Sequence, residues 1–242
     1  MKLFQRIFFA AVLAGLAAGL AMSALQQWKV TPLIVEAELY EAAAPAAEHT
    51  HAEGTPAHEH DPEAWAPQDG AERIFYTVLA NVLGCIGFAL LLAAASVLSG
   101  LPITAANGVI WGIGGFVAFQ LAPAMGLPPE LPGMPAADLG ARQLWWWGTA
   151  LAAGAGLLAL ARLRNWLGIG IAALLLLAPH VLGAPQPAGE DTSVVPAHLA
   201  TAFAAAALAT GALFWLTVGP LLGWLSERFD HRQAVALKGA HA

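Results

Sequence analysis

The sequence has few charged residues and a single cysteine. Of its 242 residues, 11% are charged, whereas a soluble globular domain carries about 25%. Because 58% are hydrophobic and several apolar runs approach the roughly 20 residues that a membrane-spanning helix needs, we predict an integral membrane protein. Cys85 stands inside an apolar run, which excludes a disulfide framework and a Cys-x-x-Cys site.

Several motifs of enzymes and of nucleic-acid-binding proteins are also missing. The chain has no Gly-x-x-x-x-Gly-Lys phosphate loop, so it is not expected to hydrolyse ATP itself. His58-Glu59-His60 lacks the His-Glu-x-x-His spacing of a helical zinc protease, and no nucleophile has a neighbouring base. A net charge of −6 argues against nucleic acid. We therefore predict that the protein is not an enzyme and has no prosthetic group; a membrane enzyme is the weakest alternative.

The apolar runs predict an all-α fold: a polytopic bundle of about six transmembrane helices that forms a single membrane domain over residues 1–242. Only a few residues separate the fourth span from the fifth, which indicates an antiparallel helical hairpin. The sixth span is expected to end between residues 221 and 225. The predicted spans are residues 7–25, 74–98, 104–125, 144–160, 166–182 and 197–221.

The first span allows two interpretations. Lys2 and Arg6 precede an apolar run, and Ala21-Met22-Ser23 resembles a cleavage site, as in a secretory signal. The run is longer than a usual signal core, however, and Gly15 and Gly19 have the spacing of closely packed membrane helices. We favour a retained helix, while cleavage would leave five spans.

Lysine and arginine placement predicts the orientation, because cytoplasmic segments are enriched in both. With six spans and a cytoplasmic N-terminus, seven of the ten basic residues fall inside, and fourteen of the sixteen acidic residues fall outside. We therefore expect a bacterial inner-membrane protein in contact with the lipid bilayer. Both termini would be cytoplasmic, and a His- and acid-rich loop over residues 29–72 would be periplasmic or extracellular. Residues 41–59 are expected to be disordered, and residues 126–143 and 183–196 to form ordered turns on the same side.

The loop carries two His-x-His pairs, His49 with His51 and His58 with His60, and Asp61 follows the second. Residues at i and i+2 of an extended chain lie on the same side. Neutral imidazoles suit cobalt, nickel, copper and zinc, and carboxylates extend the choice toward harder ions. We predict capture of a divalent metal, Co²⁺, Ni²⁺ or Zn²⁺, with modest affinity. The alternative is an acidic loop with incidental histidines.

A second set of metal-type residues lies at the outer ends of the last two spans. His180 is close to the end of span five, His198 opens span six, and Glu190 and Asp191 stand between them. If this loop folds back, its imidazoles and carboxylates meet at a pore mouth. The alternative is that both histidines form hydrogen bonds in the headgroup region.

Asn81, Asn107 and Gln120 are the clearest polar side chains within the spans. Span three also holds several glycines and Pro123, and such a helix can either line a narrow path or pack tightly against its neighbours. The three consecutive tryptophans that begin at Trp145 fit an interfacial aromatic belt.

Several blocks of the sequence are shared with a known family. The blocks are His58-Glu59-His60, Ala64-Trp65-Ala66-Pro67-Gln68-Asp69-Gly70-Ala71-Glu72-Arg73, Trp111-Gly112, Gly115-Phe116, Leu121-Ala122-Pro123, Gly126-Leu127-Pro128-Pro129-Glu130-Leu131-Pro132-Gly133, Pro179-His180 and Gly183-Ala184-Pro185. With the basic start before a glycine-rich first span, they cover nearly the whole chain. On these blocks the chain resembles the CbtA family of cobalt transporter subunits.

The resemblance implies a cobalt uptake component linked to cobalamin synthesis and a partner, the small single-span CbtB protein. It assigns the ligand role first to His58 and His60, and only chemistry extends that role to His49 and His51. Our first hypothesis is a permease whose loop captures Co²⁺ and passes it to His180 with Glu190 or Asp191. The second is a non-conducting subunit that binds or senses metal and docks a partner. A hydrated polar path past Asn81, Asn107 or Gln120 would favour the permease. A dry, glycine-packed bundle would favour the non-conducting subunit, in which the bundle only anchors the loop.

Overall fold

The computed structural model describes residues 3–43, 65, 67–187 and 193–240, with side chains up to residue 231. Every regular element in this part of the chain is helical, which confirms the predicted all-α class. One turn of π-helix, Val117–Leu121, connects α4 to α5 without a break. The helices are α1 (Leu3–Lys29), α2 (Thr31–Ala43), α3 (Ala71–Ser99), α4 (Gly108–Phe116), α5 (Ala122–Ala124), α6 (Leu139–Leu163), α7 (Trp166–Leu182) and α8 (Ala197–Ala240).

Four of the described helices are long and apolar enough to cross a membrane: α1, α3, α6 and α8. The other two predicted spans correspond to shorter apolar helices, Gly108–Ala124 and Trp166–Leu182. A 17-residue helix such as α7 is about 25 Å long at 1.5 Å per residue, against about 30 Å of hydrocarbon. Six spans therefore stay a prediction, in which these two helices are short crossings.

Part of the predicted loop over residues 29–72 is helical, which the sequence analysis did not predict. Thr31–Ala43 forms α2, where Pro32 is compatible with a first turn. Ala37 is fully buried and packs with Leu131, Val195 and Leu199. Leu33 and Ile34, one turn earlier on α2, pack against the same cluster, whereas Leu39 is exposed. The expected disorder of residues 41–59 falls mostly outside the described residues.

Helix α1 lies in the core of the bundle. Ala10, Ala11 and Ala14 are fully buried, and α1 packs along both α3 and α8. A Cβ atom on Gly15 would come within 2.5 Å of the Ile86 Cα atom on α3, so the backbones of the two helices touch. Small residues on one face of α1 permit this approach.

A second close contact joins α4 to α8, and we call it the glycine seam. It consists of Gly108 and Gly112 on α4 against Trp215 and Gly219 on α8. A Cβ atom on Gly108 would lie 2.6 Å from the Gly219 carbonyl oxygen, and one on Gly112 would overlap the Trp215 carbonyl oxygen. The seam is dry and packed backbone to backbone.

The hairpin predicted between spans four and five is confirmed. Helix α6 ends at Leu163, Arg164 adopts a left-handed conformation with φ 49°, and the Asn165 side chain caps α7 by accepting from the Gly168 N–H at 3.0 Å. Helix α8 includes the sixth predicted span and continues beyond it, through Pro220 to Ala240.

Charged residues mark two opposite ends of the bundle. At the loop end, which carries Lys29, Arg73 and Arg142, Arg73 pairs with Glu38 and Asp69. At the tail end, Arg6 pairs with Asp230, and Arg162 Nη1 donates to the Ser99 carbonyl oxygen at 2.7 Å. Which of the two ends faces the cytoplasm stays a prediction.

Candidate functional site

Most of the predicted metal ligands lie outside the described residues. These are His49, His51, His58, His60, Asp61, Glu190 and Asp191. His180 is described, in the last turn of α7, where its ring packs edge-on against Trp145 with the centroids 5.8 Å apart. His198 lies in the first turn of α8. Within the described ranges, no three His, Cys, Asp or Glu side chains come together in a group able to hold a metal ion.

Two of the three intramembrane polar side chains have structural roles. Asn81 Nδ2 donates to Gln26 Oε1 at 2.6 Å and to Ser23 Oγ at 3.2 Å, which ties α3 to α1. Asn107 closes the turn before α4: its Oδ1 accepts from the Thr104 N–H at 2.8 Å, and its Nδ2 donates to the Pro102 carbonyl oxygen at 3.0 Å. Neither amide lines a polar path.

Gln120 behaves differently. Its Oε1 is buried and accepts no hydrogen bond from any described residue. Its amide group packs against Gly211 on α8, where a Cβ atom would overlap it. A buried polar atom without a partner costs about 1–3 kcal/mol. In the described part of the chain, Thr149 Oγ1 on α6 is a second such atom.

Gln120 reaches this position through the π-helical turn. Pro123 has no N–H to donate to the carbonyl group four residues earlier, and the Ala122 N–H bonds to the Val117 carbonyl oxygen five residues back. Such single π turns occur frequently at functional sites. The turn ends the glycine seam and directs the following residues away from α8.

A cavity of about 410 Å³ opens at this point of the loop end, and we call it the loop-end cavity. The π turn and α5, the segment after α5, α6 and α8 enclose it. Its polar groups are Gln120, Glu130, Arg142 and Gln143, and its apolar wall includes Phe119 and Trp146.

Glu130 is held in the cavity wall by its neighbours in the chain. Pro128 and Pro129 precede it and restrict the backbone. Leu131 follows and is 3% exposed, packed with α2 and the start of α8. Gly133 has φ 78°, which favours glycine. The predicted ordered turn thus fixes the position of one carboxylate.

Arg142 comes from the first turns of α6. Asp138 caps that helix, and its Oδ1 accepts from the Ala141 N–H at 2.8 Å. One turn later, Arg142 Nη2 lies 2.6 Å from Glu130 Oε2, with the side chains 29% and 22% exposed. A partly exposed ion pair of this kind contributes about 0–1 kcal/mol to stability. The ion pair therefore adds little to the stability of the cavity wall.

An aromatic layer bounds the cavity on its inner side. The Phe119 ring stacks on Trp215 at 5.8 Å, and Phe88 packs edge-on against both, at 5.3 and 5.4 Å. Trp215 is 1% exposed.

A second cavity, of about 320 Å³, lies at the tail end. The Arg6–Asp230 pair, Ser96 and Ser226 line it. Both serine hydroxyl groups donate to backbone carbonyl oxygens at 2.7 Å, Ser96 to Leu101 and Ser226 to Leu222. Its serine hydroxyl groups are already hydrogen-bonded, unlike the buried oxygen of Gln120.

Sequence reasoning selected Gln120 as a polar residue of a span but assigned no role to Glu130 or Arg142. Glu130 was visible as an acid between prolines in an apolar chain, and Arg142 as a basic residue beside an aromatic run. Their pairing depends on how far the segment 126–138 folds back over α6, which no spacing in the sequence specifies.

The family of the chain follows from comparison with known proteins. The family model for the probable cobalt transporter subunit CbtA matches residues 4–227. Because the match covers most of the chain, the protein belongs to this family, as its motifs suggested. No curated protein and no solved structure matches the chain.

Proposed function

We propose that this chain, a member of the CbtA family, is the membrane-embedded permease subunit of a cobalt uptake system that supplies cobalamin synthesis. What carries the proposal is the combination of family membership with a helical bundle that has a polar cavity at its loop end. Co²⁺ is the transported ion, and Ni²⁺ or another divalent metal is the alternative cargo.

Capture of the metal is assigned to the His-rich loop. His58 and His60 with Asp61 bind first, and His49 and His51 add a second pair. His180, with Glu190 or Asp191, receives the ion at the rim. Imidazole and carboxylate groups have the affinity for divalent first-row metals that this step needs. In this role the loop end faces the periplasm or the extracellular side of the inner membrane, and both termini are cytoplasmic.

The word subunit in the family description indicates an assembly with at least one partner. The partner we propose is the small single-span CbtB-type protein that the family resemblance implies. Exposed apolar residues on α1 and α3, among them Phe4 and Leu83, face the surroundings of the bundle, where lipid or such a helix can pack.

The test is uptake of ⁵⁷Co²⁺ into proteoliposomes, with and without the partner, in competition with Ni²⁺ and Zn²⁺. Entry of cobalt that depends on the chain is expected, and absence of entry in both conditions would contradict a permease. Replacing His49, His51, His58 and His60 with alanine should reduce uptake at scarce cobalt. Capture should also weaken as the pH falls through about 6.5, because protonated imidazole does not bind metal.

One observation favours a second function, a metal-binding or sensing subunit that does not conduct. The glycine seam is dry, and Asn81 and Asn107 form hydrogen bonds within the fold. In that case the bundle anchors the loop and docks a partner. Cobalt binding without entry into proteoliposomes, in the presence of the partner, would support this function over the permease.

A further inference from the structure

The ion pair in the loop-end cavity uses only part of its hydrogen-bonding capacity. A guanidinium group carries five N–H donors, and a carboxylate has two acceptor oxygens. Arg142 Nη2 donates to Glu130 Oε2 at 2.6 Å, and neither side chain bonds to another described residue. Both side chains line the cavity and are partly exposed. Free N–H donors therefore lie beside a free carboxylate oxygen on the cavity wall.

The rest of the cavity wall is mainly apolar and aromatic. Phe119 and Trp146 line its inner part, and Trp147 and Leu139 line its outer part, where they are 50% and 64% exposed. Tryptophans are enriched where a membrane meets water, so the cavity opens on a surface that lipid headgroups would contact. Its volume of about 410 Å³ suits a small organic group. A ligand with a polar head and an apolar body fits such a wall.

The two charges on the wall select the kind of polar head. A simple cation or anion would meet a like charge directly beside its partner, which opposes binding. A head with both an ammonium and a phosphate group can bind both partners at once, because guanidinium donates to phosphate and carboxylate accepts from ammonium. A choline head has no N–H to donate, and a phosphatidylglycerol head has no ammonium group.

We propose that the loop-end cavity binds the headgroup of a phosphatidylethanolamine lipid. Arg142 donates to the phosphate, Glu130 accepts from the ammonium, and the Arg142–Glu130 bond stays in place, so that the four charges alternate. The glycerol end of the lipid lies against Trp147 and Leu139 at the outer part of the wall. The buried oxygen of Gln120 takes no part. The site does not depend on which metal the chain transports or on whether the chain conducts.

The test measures lipid retention by the full chain. The protein is reconstituted in nanodiscs with equal amounts of phosphatidylethanolamine, phosphatidylcholine and phosphatidylglycerol, and native mass spectrometry then identifies the lipids that stay bound. We expect phosphatidylethanolamine to be retained about tenfold over phosphatidylcholine, as one additional charge-assisted hydrogen bond allows. Phosphatidylglycerol should be retained weakly, because the Glu130 carboxylate opposes an anionic lipid.

Two substitutions should change this order in different ways. Glu130→Gln should remove the preference for phosphatidylethanolamine over phosphatidylcholine and should raise the retention of phosphatidylglycerol severalfold, because Arg142 is then an unpaired cation. Arg142→Gln should lower the retention of phosphatidylethanolamine and phosphatidylcholine together, since both bind through phosphate. The matched controls Glu38→Gln and Arg73→Gln alter another ion pair of the loop end and should leave the order unchanged.

The gain of phosphatidylglycerol by Glu130→Gln is informative because a poorly folded variant would not gain a specific lipid. Equal retention of the three lipids by the unsubstituted chain, or a preference that survives Glu130→Gln, would overturn the site. Soluble glycerophosphoethanolamine, which has the same head without acyl chains, should displace the lipid only in large excess. Displacement at equal concentration would show that the cavity takes a soluble zwitterion and would overturn the lipid assignment.

Discussion

Helix α8 contacts one partner helix in two opposite ways. Along the glycine seam, Gly108 and Gly112 bring the α4 backbone against Trp215 and Gly219. Gly211 lies about one turn further toward the loop end, beside a cavity of about 410 Å³. The atoms nearest to a Cβ atom added there belong to the flexible amide of Gln120 and not to a backbone. The π-helical turn Val117–Leu121 lies between these two contacts. The backbone contact between α4 and α8 therefore ends at the π-helical turn, and the cavity begins there.

The two cavities differ in whether their uncharged polar groups have hydrogen-bond partners. Each has an arginine–carboxylate pair, Arg142 with Glu130 and Arg6 with Asp230. In the tail-end cavity, Ser96 and Ser226 donate to the backbone, whereas Gln120 Oε1 at the loop end has no partner among the described residues. The other such atom among the described residues, Thr149 Oγ1, lines neither cavity, so an unsatisfied oxygen does not by itself mark a ligand site.

The largest expected effect comes from filling the seam. Gly112→Ala places a Cβ atom on the Trp215 carbonyl oxygen, which is backbone and cannot rotate away. We expect a loss of about 3 kcal/mol or more in the free energy of unfolding, at the upper end of overpacking effects, measured by thermal or denaturant unfolding in detergent.

The matched control is Gly114→Ala, on the same helix, where a Cβ atom would meet nothing within 4 Å. It should be neutral or slightly stabilising, because alanine is the better helix former. Equal destabilisation by both substitutions would show that the close approach of α4 and α8 is not what holds the two helices together.

The next prediction concerns the buried amide oxygen of Gln120, beside the cavity. Gln120→Leu removes a buried oxygen without a partner, and replacing such a group with an apolar one of similar shape is close to neutral or stabilising. We therefore expect unchanged or higher stability, measured by thermal unfolding in detergent. Asn81→Leu is the control, since it breaks the hydrogen bonds to Ser23 and Gln26 and should destabilise the bundle.

A smaller effect is expected at the helix cap that positions Arg142. Asp138→Ala removes the acceptor of the Ala141 N–H and should cost about 1 kcal/mol, as other N-cap losses do. Asn165→Ala removes the equivalent cap of α7 at the tail end and should cost a similar amount. Thermal unfolding of both variants measures the two losses, and an unchanged stability of either variant would show that the capping hydrogen bond does not stabilise its helix.

Composition and periodicity predicted the helical class, the bounds of α7 and the hairpin before it, because a long apolar run leaves little choice of structure in a membrane. They missed α2, whose glutamates suggested a solvated loop while Ala37 lies buried. They also missed the partner of Glu130. Its pairing with Arg142 depends on the path of residues 126–138, which is set by the burial of Leu131 against distant helices.

The histidine loop shows the other limit. Its residue types predicted metal capture from chemistry alone, and that interpretation stays a prediction, since His49, His51, His58 and His60 lie outside the described residues. Spacing predicts which groups can bind a metal. It does not predict which of them meet in three dimensions.

The smallest expected effect concerns the ion pair between Arg142 and Glu130. Arg142→Gln breaks a partly exposed ion pair and should lower the free energy of unfolding by less than about 1 kcal/mol, with a smaller loss at 1 M salt. Arg73→Gln, which breaks the pairs with Glu38 and Asp69, should cost at least as much. If Arg142→Gln instead destabilised the protein by several kcal/mol, the pair would be a structural clamp that holds the segment before α6 against that helix.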